Sequence, residues 1–213
     1  LDLCSDRDHI FDTHITTAVP KFSAQWLFDG KTQCPDEYII QGRRYQVFGQ
    51  LVSVGSEDHP SYVATTYWLD VTDLSNLRDR YYATRPVVSI ITIDNYEELI
   101  RNSTDSRRAK VRTGIEREIT KWIAPTNGLV CRYDRDRYLF IFEEQHLAAY
   151  RQSKFALLEA VQKITGPYGL TATLSIGIGV GSTFEEMFQF ATLALEMALS
   201  RGGDQVVIKN PET

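Results

Sequence analysis

Along the first third of the chain, apolar and polar side chains alternate with a period of two, which is typical of half-buried β-strands. The alternation is clearest over residues 43–54, and an apolar run at 38–40 precedes it across a short turn. Residues 62–69 are rich in β-branched and aromatic side chains and predict a further strand. A helix is expected next, since Thr72 or Asp73 can accept hydrogen bonds from its first amide groups.

From about residue 85 the pattern changes to strands that alternate with helices. Residues 87–93 form a continuous apolar run, as expected of a buried central strand. A long helix is predicted from about Asp105, where apolar residues recur every three or four positions. Residues 129–133 and 138–142 flank a short charged turn and predict a β-hairpin.

The last part of the chain continues the same alternation. We predict one helix over 145–164, a strand over 171–180, an amphipathic helix from Phe184 to about Gly202 and a last strand over 205–209. Strands and helices in this order, with one internal hairpin, indicate an α/β (α+β) sandwich whose helices cover a partly antiparallel sheet.

Size and composition narrow the class of protein. The chain has 213 residues, enough for one large domain or two small ones. Its formal net charge of −5, without a basic stripe, argues against nucleic acid as the main partner. The sequence contains no run of 18 apolar residues, so it predicts no membrane span. The three cysteines, Cys4, Cys34 and Cys131, are widely spaced and fit reduced thiols better than a disulfide framework.

Four charged residues stand at the tip of the predicted hairpin: Asp134, Arg135, Asp136 and Arg137. A carboxylate at a hairpin tip is placed to meet a hard metal ion, and a guanidinium is placed to meet phosphate oxygens. The tip therefore predicts a place where a nucleotide and its metal can be bound. The alternative is that the four charges only form surface ion pairs with one another.

Several segments together resemble one family. The chain has Leu174-Ser175-Ile176-Gly177-Ile178-Gly179, Arg132-Tyr133 before the charged turn, and Ala194-Leu195 leading to Gly202-Gly203. These are similar to the SIGIA strand, the RYGGDEF hairpin and the terminal helix of the GGDEF domains of diguanylate cyclases. The sequences of residues 200–207 and 93–98 resemble those of the GdpP/YybT type of cyclic-di-AMP phosphodiesterase.

The resemblance implies a domain order. Proteins of that type have two membrane helices, a PAS domain, a degenerate GGDEF domain and a DHH–DHHA1 phosphodiesterase. We therefore expect a partial PAS domain with its exit linker helix over 1–82, and a degenerate GGDEF domain with a ferredoxin-like βαββαβ core over 85–213. Because the chain begins with Leu1 and contains no DHH motif, we expect a fragment. The resemblance implies that it comes from the cytosolic face of a membrane-anchored protein.

The resemblance also implies that the cyclase site is eroded. Five positions at which the family uses a metal carboxylate, guanine-reading groups and phosphate-binding cations carry other residues: Thr92, Ile100, Ala109, Leu199 and Gly203. Two glycines of the family hairpin are likewise replaced, by Asp134 and Arg135. We therefore expect no diguanylate cyclase activity, since each lost preorganised charge contact typically costs about 10²–10³-fold in rate.

What remains of the site predicts weak binding of a nucleotide such as ATP. Asp94 and Asp136 are the candidate ligands of a Mg²⁺ ion, and Arg135 or Arg137 can meet phosphate oxygens. Asn95, next to Asp94, completes the predicted nucleotide-binding set. The resemblance implies a feeble ATPase activity at this place.

A haem is the second cofactor that the resemblance implies, in an intact PAS domain. The aromatic residues that could line its pocket are Trp26, Phe28, Tyr45 and Phe48. The candidate axial ligands are His9, His14 and Cys34. Ordinary core aromatics and surface histidines are the simpler interpretation of each residue.

The sequence thus favours a regulatory fragment of a cyclic-di-AMP phosphodiesterase that binds a nucleotide, forms a homodimer and works with a downstream DHH–DHHA1 domain. Two other classes stay open at this point. One is an active nucleotidyl cyclase, and the other is a purely structural dimerisation module.

Overall fold

The computed structural model describes residues 14–56, 59–101, 103–166 and 169–213. The fold divides into two compact units, of which one ends at Arg80 and the other begins at Tyr81. His9, a candidate haem ligand, lies outside the described residues. No helix among the described residues combines the length and the apolar character that a membrane span requires.

The first unit is built on a three-stranded antiparallel sheet in the order β1-β2-β3. Its elements are the short helices α1 (Ile15–Ala18) and α2 (Gln25–Phe28), the strands β1 (Gln33–Ile40), β2 (Arg43–Ser56) and β3 (His59–Asp70), and the start of helix α3 (Thr72–Ala83). The three strands predicted from the alternating pattern are confirmed. Gln41 and Gly42, at φ 50° and 79°, give the β1–β2 hairpin its left-handed two-residue turn.

The side chain that accepts a hydrogen bond at the start of α3 is not the one predicted from the sequence. The Thr72 amide donates to Asp70 Oδ1 at 3.0 Å, so Asp70 supplies the acceptor that was expected from Thr72 or Asp73. The Thr72 hydroxyl oxygen instead accepts from the Arg44 amide at 2.8 Å. These bonds tie the first turn of the helix to the neighbouring strands.

Glu37 on β1 connects the sheet to α3 through three charged or polar contacts. Its carboxylate accepts from Ser75 Oγ and from Arg78 Nη2, each at 3.0 Å, and from Arg44 Nε at 2.9 Å. Burial acts to raise the pKa of Glu37, but the hydrogen bonds from Ser75, Arg78 and Arg44 outweigh it and hold the pKa below its usual 4.5. The ionised form of Glu37 therefore stabilises the folded unit.

We expect Glu37→Gln to lower the free energy of unfolding by about 1–2 kcal/mol at pH 7, because charge-assisted hydrogen bonds are lost from a partly screened site. A folded-state pKa below the unfolded value gives stability above pH 4.5 that disappears as the pH falls through the folded value. Urea unfolding from pH 7 to pH 3 measures this difference. The exposed Asp36→Asn variant is the control, and equal stabilities of Glu37→Gln and wild type at pH 7 would contradict the prediction.

The aromatic residues predicted to line a haem pocket do not form one pocket. Trp26 packs into the core with Leu27, Cys34 and Val47, whereas Phe28 is 56% exposed. Tyr45 and Phe48 point to opposite faces of β2, because side chains alternate along a strand. The candidate ligands are separated as well, since His14 is exposed and bonded to Thr16 while the Cys34 thiol is buried beside Tyr38. The described residues therefore do not fit a haem.

The second unit carries the candidate site. Its elements are β4 (Pro86–Ile93), α4 (Tyr96–Ile100), α5 (Asp105–Ile123), a 3₁₀ turn (Ala124–Thr126), β5 (Leu129–Arg132), β6 (Arg137–Glu143), α6 (Gln145–Gln152), α7 (Leu157–Gln162), β7 (Leu174–Gly179), α8 (Phe184–Ser200) and β8 (Val206–Lys209).

The sheet of this unit has the order β5-β6-β4-β7-β8. Neighbouring strands are antiparallel except β7 and β8, which are parallel. The first four strands with their helices form the ferredoxin-like βαββαβ core, which confirms the predicted fold class. The apolar run of β4 is the central strand and is buried along almost its whole length.

The single helix predicted over 145–164 is wrong, because α6 and α7 are separate helices. Lys154 and Phe155 both adopt positive φ values, near 50°. The Phe155 amide donates to Tyr150 O and the Lys154 amide donates to Arg151 O, the pattern of a Schellman motif. The Phe155 ring packs against Tyr150 with 6.3 Å between centroids, which supplies the apolar contact that accompanies this motif.

Candidate functional site

A cleft of about 470 Å³ lies where the end of β4 meets the tip of the β5–β6 hairpin. The Ile93 amide donates to Asp136 O at 2.9 Å, and Thr92 pairs with Arg137 in the strand register. The hairpin tip is therefore fixed beside the residues that follow the central strand. Thr92 lies on β4, and Asp136 lies in the turn that leads from β5 into β6, the strand that pairs with β4.

Hydrogen bonds from the Arg132 side chain hold the backbone of the hairpin tip in its conformation. Its guanidinium donates to Asp134 O at 3.0 Å and to Arg135 O at 3.1 Å, and it also reaches Glu116 Oε1 at 3.2 Å. Because the carbonyl groups of the turn are already bound, the backbone is held with its charged side chains facing outward. Glu116 also accepts from the Tyr138 hydroxyl, and burial, followed by the Glu116 charge, raises the pKa of Tyr138 to about 12.

The charges of the tip do not neutralise one another. Within residues 129–143 of the structure, Asp134, Asp136, Arg135 and Arg137 form no ion pair, although Asp134 Oδ1 accepts from the Arg135 amide at 2.7 Å. The alternative interpretation, a set of surface ion pairs, is therefore wrong for the described residues. Both guanidinium groups are exposed and available to an anion.

Four of the five predicted nucleotide-binding residues line the cleft: Asp94, Asn95, Arg135 and Asp136. Arg137 is the exception, because it lies on β6 in register with Thr92 and does not line the cleft. Asn95 has a structural task as well. Its side chain donates to Thr171 O at 2.7 Å and accepts from the Thr173 amide at 3.3 Å, which fixes the chain ahead of β7.

Negative charge predominates in the cleft. Its lining includes the carboxylates of Asp94, Glu97, Glu98, Asp134 and Asp136, against the guanidinium groups of Arg101 and Arg135. A bare polyphosphate is repelled by such a lining, whereas a phosphate group accompanied by a divalent cation is not. The charge of this lining therefore suits a phosphate group only together with a divalent cation.

The metal site predicted at Asp94 and Asp136 consists of two carboxylates that share the cleft. In the described part of the chain, no three His, Cys, Asp or Glu side chains come together as metal ligands. Two carboxylates suit a Mg²⁺ ion that retains water molecules and also binds substrate phosphates. The donor set therefore fits a metal that arrives with a nucleotide.

The resemblance implies that five positions have lost residues that bind metal, guanine or phosphate. The residues at these positions are not placed to take over those roles. The Thr92 side chain is 3% exposed and does not line the cleft, and its hydroxyl has no hydrogen-bond partner. Neither Ile100 nor Ala109 lines the cleft. Leu199 is exposed on α8, and Gly203 lies next to Asp94 without a side chain.

A larger groove of about 840 Å³ lies along α5 and shares no lining residue with the cleft. Arg107, Lys110 and Arg117 line it together with apolar residues of α5 and residues 164–166. Two other basic residues of α5 form ion pairs along the helix, Arg108 with Asp105 at 3.9 Å and Arg112 with Glu116 at 4.0 Å. These long contacts suit a solvated helix face.

Asp204 is the residue that sequence reasoning missed. Its amide donates to Asp94 Oδ2 at 2.9 Å across a sequence separation of 110 residues, and its carboxylate accepts from Gln162. Burial raises the pKa of Asp204, the Gln162 hydrogen bond opposes that change, and the nearby Asp94 charge adds to it. Asp204 follows Gly202 and Gly203 and has a φ of 52°, so the Gly-Gly-Asp turn was the available signal.

Comparisons with known proteins identify a family and a fold that the chain resembles. Residues 91–213 match the family model described as cyclic-di-AMP phosphodiesterase GdpP-like, GGDEF domain. The chain is 35% identical over 187 residues to the cyclic-di-AMP phosphodiesterase GdpP of Geobacillus thermodenitrificans, covering 87% of this chain and 27% of that protein. It is 34% identical over 149 residues to the cyclic-di-AMP phosphodiesterase PdeA of Listeria monocytogenes, covering 68% of this chain and 22% of that protein. The chain thus spans about a quarter of the length of these relatives.

Among solved structures, the coiled coil and GGDEF domain of DgcB from Caulobacter crescentus in complex with c-di-GMP is similar, with a TM-score of 0.52 and 14% identity. The match covers 64% of this chain and 77% of that one. The likeness shows that the fold is that of GGDEF domains.

Proposed function

The chain belongs to the family of GdpP-like GGDEF domains of cyclic-di-AMP phosphodiesterases, and from this premise we propose that it binds a nucleotide for regulation without diguanylate cyclase activity. The observation that carries the proposal is the cleft, in which Arg135 and Asp136 present charges that no described side chain pairs with. A guanidinium and a carboxylate left unpaired beside each other suit a phosphate group and its metal.

The proposed binding mode assigns a task to each residue. Asp136 and Asp94 hold the Mg²⁺ ion, which supplies the positive charge that the acidic lining lacks. Arg135 donates to phosphate oxygens from the tip of the hairpin, and the outward-facing Arg137 approaches the outer part of the same phosphates. Asn95 keeps the floor of the cleft in place through its bonds to residues 171 and 173.

The proposed site has no group that selects a base. Ile100 and Ala109, at the positions that read guanine in the family, have no hydrogen-bonding side chain and do not line the cleft. ATP and GTP are therefore expected to bind with similar affinities. ATP hydrolysis in this proposal is feeble, because a cleft that only holds phosphates does not position a nucleophile.

The proposal places the chain within a larger protein. In that protein a downstream DHH–DHHA1 domain hydrolyses cyclic-di-AMP, membrane helices anchor the chain at the cytosolic face, and two copies form a homodimer. Similarity to the cyclic-di-AMP phosphodiesterases GdpP and PdeA, of which the chain covers 27% and 22%, supports the hydrolysis of cyclic-di-AMP by the larger protein. The first unit serves as the PAS-like sensory part, supported by its antiparallel sheet and by the exit into α3.

We expect Arg135→Ala to weaken binding of Mg²⁺–ATP by at least about tenfold, because a charge-assisted hydrogen bond to a phosphate contributes about 1.5–3 kcal/mol. Isothermal titration calorimetry with the 213-residue chain and millimolar ATP measures this affinity. The exposed Arg151→Ala variant on α6 makes the same charge change away from the cleft and should bind as the wild type does. Removal of Mg²⁺ with a chelator should abolish the heat.

Two results would contradict the proposal. Wild-type protein that gives no heat with ATP and Mg²⁺ favours a purely structural dimerisation module. Equal losses of affinity in Arg135→Ala and Arg151→Ala would mean that only overall charge, and not the cleft, attracts the nucleotide.

A further inference from the structure

One face of the β2–β3 pair belongs to the core of the first unit, and the other face is exposed. Val47 and Trp68 lie opposite each other in the register and pack in the core cluster that includes Trp26 of α2. The neighbouring pair, Phe48 and Tyr67, points to the other side of the sheet, because side chains alternate along a strand. The apolar side chains on this exposed side, which we call the outer face, are Phe48, Val52 and Val54 on β2 and Val63, Tyr67 and Leu69 on β3.

The outer face presents a large apolar area. Five of its six apolar side chains, all except Phe48, are 48–65% exposed. Together they present roughly 500 Å², near the upper end of the about 300–600 Å² of the largest apolar patch on a typical monomer. Exposed patches of this size are typical of sites of protein–protein contact.

The outer face carries no charge that would select a charged partner. Residues 46–54 of β2 and 61–69 of β3 contain no Asp, Glu, Lys or Arg. The residues that alternate with the apolar ones on this face are neutral: Gln46, Gln50, Ser61 and Thr65. A surface of this composition has little attraction for a nucleotide, a nucleic acid or a charged peptide. A second outer face, which is equally apolar and uncharged, meets the requirement.

The outer face is also complementary to itself in side-chain size. In register order, its three central rows are Val52–Val63, Gln50–Thr65 and Phe48–Tyr67. Two small side chains therefore stand on one side of the polar row, and two large aromatic rings stand on the other. A two-fold axis that crosses the strands at the polar row places the valines of one copy against the aromatic rings of the other. Large side chains then meet small ones, as close packing of two facing layers requires.

We propose that two copies of this chain pair through their outer faces, as two sheets packed face to face about 10 Å apart. In this arrangement Val63 lies against the partner's Tyr67, and Thr65 lies against the partner's Thr65, where the hydroxyl groups can bond to each other. Each partner of a standard interface contributes about 800 Å², and the apolar side chains with the exposed polar residues between them reach that order. The inference rests on the proposed homodimer and identifies its surface.

Sedimentation velocity of the 213-residue chain measures the dimerisation constant and tests this surface. We expect a wild-type dimer that Val63→Lys weakens by at least about a hundredfold, because the substitution buries an unpaired charge in the interface. Val63 is 53% exposed in the single chain, so the variant should keep its fold, which circular dichroism checks. The matched control is Ala64→Lys, which places the same charge on the opposite, exposed side of the same strand and should dimerise as the wild type does.

A mixing experiment tests the two-fold arrangement itself. Tyr67→Glu should also weaken dimerisation when it is measured alone. In an equimolar mixture of Val63→Lys and Tyr67→Glu, the new lysine of one copy lies against the new glutamate of the other, and the second Val63–Tyr67 contact stays as in the wild type. We therefore expect the mixture to associate at least about tenfold more tightly than either variant alone.

Three results would overturn the inference, and they separate it from the proposed function. A wild-type chain that stays monomeric would overturn both this inference and the proposed homodimer, and would leave the outer face to another part of the larger protein or to a different protein. A dimer that Val63→Lys weakens no more than Ala64→Lys does would overturn only the surface. A mixture that associates no more tightly than the separate variants would overturn the two-fold arrangement. None of these measurements depends on the nucleotide cleft.

Discussion

The variant Gly179→Ala is expected to unfold the second unit or to lower its free energy of unfolding by at least about 4 kcal/mol. A Cβ at this position would lie 1.9 Å from Met187 O and 2.6 Å from the Ala191 amide nitrogen, both in the backbone of α8. A helix backbone cannot move aside as a flexible side chain can. The helix would have to leave the sheet, which would expose the cluster of Val88, Ile90, Met187 and Leu195.

Thermal unfolding followed by circular dichroism measures this effect, with an expected fall of roughly 10 °C or more in the midpoint. Gly114→Ala, in the interior of α5, is the matched control. A Cβ at this position would lie 3.5 Å from Cδ1 of the Ile164 side chain, which is an ordinary van der Waals contact. Alanine in a helix interior is favoured over glycine by about 0.5–1 kcal/mol, so the control should be slightly more stable than wild type. A Gly179→Ala protein as stable as wild type would contradict the packing of α8 on β7.

The strands of the second unit could be predicted because local patterns specify them. The continuous apolar run of β4 and the apolar–charged–apolar hairpin each allow one interpretation, and the structure has β4 at 86–93 and the hairpin strands at 129–132 and 137–143. Resemblance to the family then supplied the ferredoxin-like βαββαβ core, whereas the order β5-β6-β4-β7-β8 comes from the structure.

The break between α6 and α7 could not be predicted, since no glycine or proline marks it. Lys154 and Phe155 adopt left-handed conformations because two backbone hydrogen bonds and the contact with Tyr150 offset the local cost. Such compensation depends on the side chains that surround the turn. It appears only once the tertiary structure is known.

The candidate site was only partly predictable, because some of its contacts join residues that are far apart in the sequence. Asp136 and Arg135 lie in a turn whose exposure follows from the sequence, whereas the contact between Asp94 and Asp204 spans 110 residues. The sequence places Arg132 just before the charged turn but does not predict its contacts. Its hydrogen bonds to the carbonyl groups of Asp134 and Arg135 depend on the conformation of the turn. Non-local contacts of this kind decide which charges stay free.

The loss of cyclase chemistry is the second large expected effect. In our proposal Thr92, which is buried, stands at the position that the resemblance assigns to a metal carboxylate, and Leu199 and Gly203 stand at the positions that it assigns to phosphate-binding cations. One lost preorganised contact costs about 10²–10³-fold in rate, and several losses compound even when they are not strictly additive. From an ordinary turnover of about 10 s⁻¹, the rate of cyclic-di-GMP formation should fall below about 10⁻³ s⁻¹.

The most direct test of the central claim is to incubate the 213-residue chain with GTP and Mg²⁺ and to quantify cyclic-di-GMP by chromatography, with an active diguanylate cyclase run in parallel. A GGDEF scaffold that has lost the groups that handle GTP should give no cyclic-di-GMP above the protein-free blank while the parallel enzyme converts its substrate. Steady formation of cyclic-di-GMP by the wild-type chain, removed by Asp136→Asn, would show that the cleft is a working cyclase site and would contradict the account.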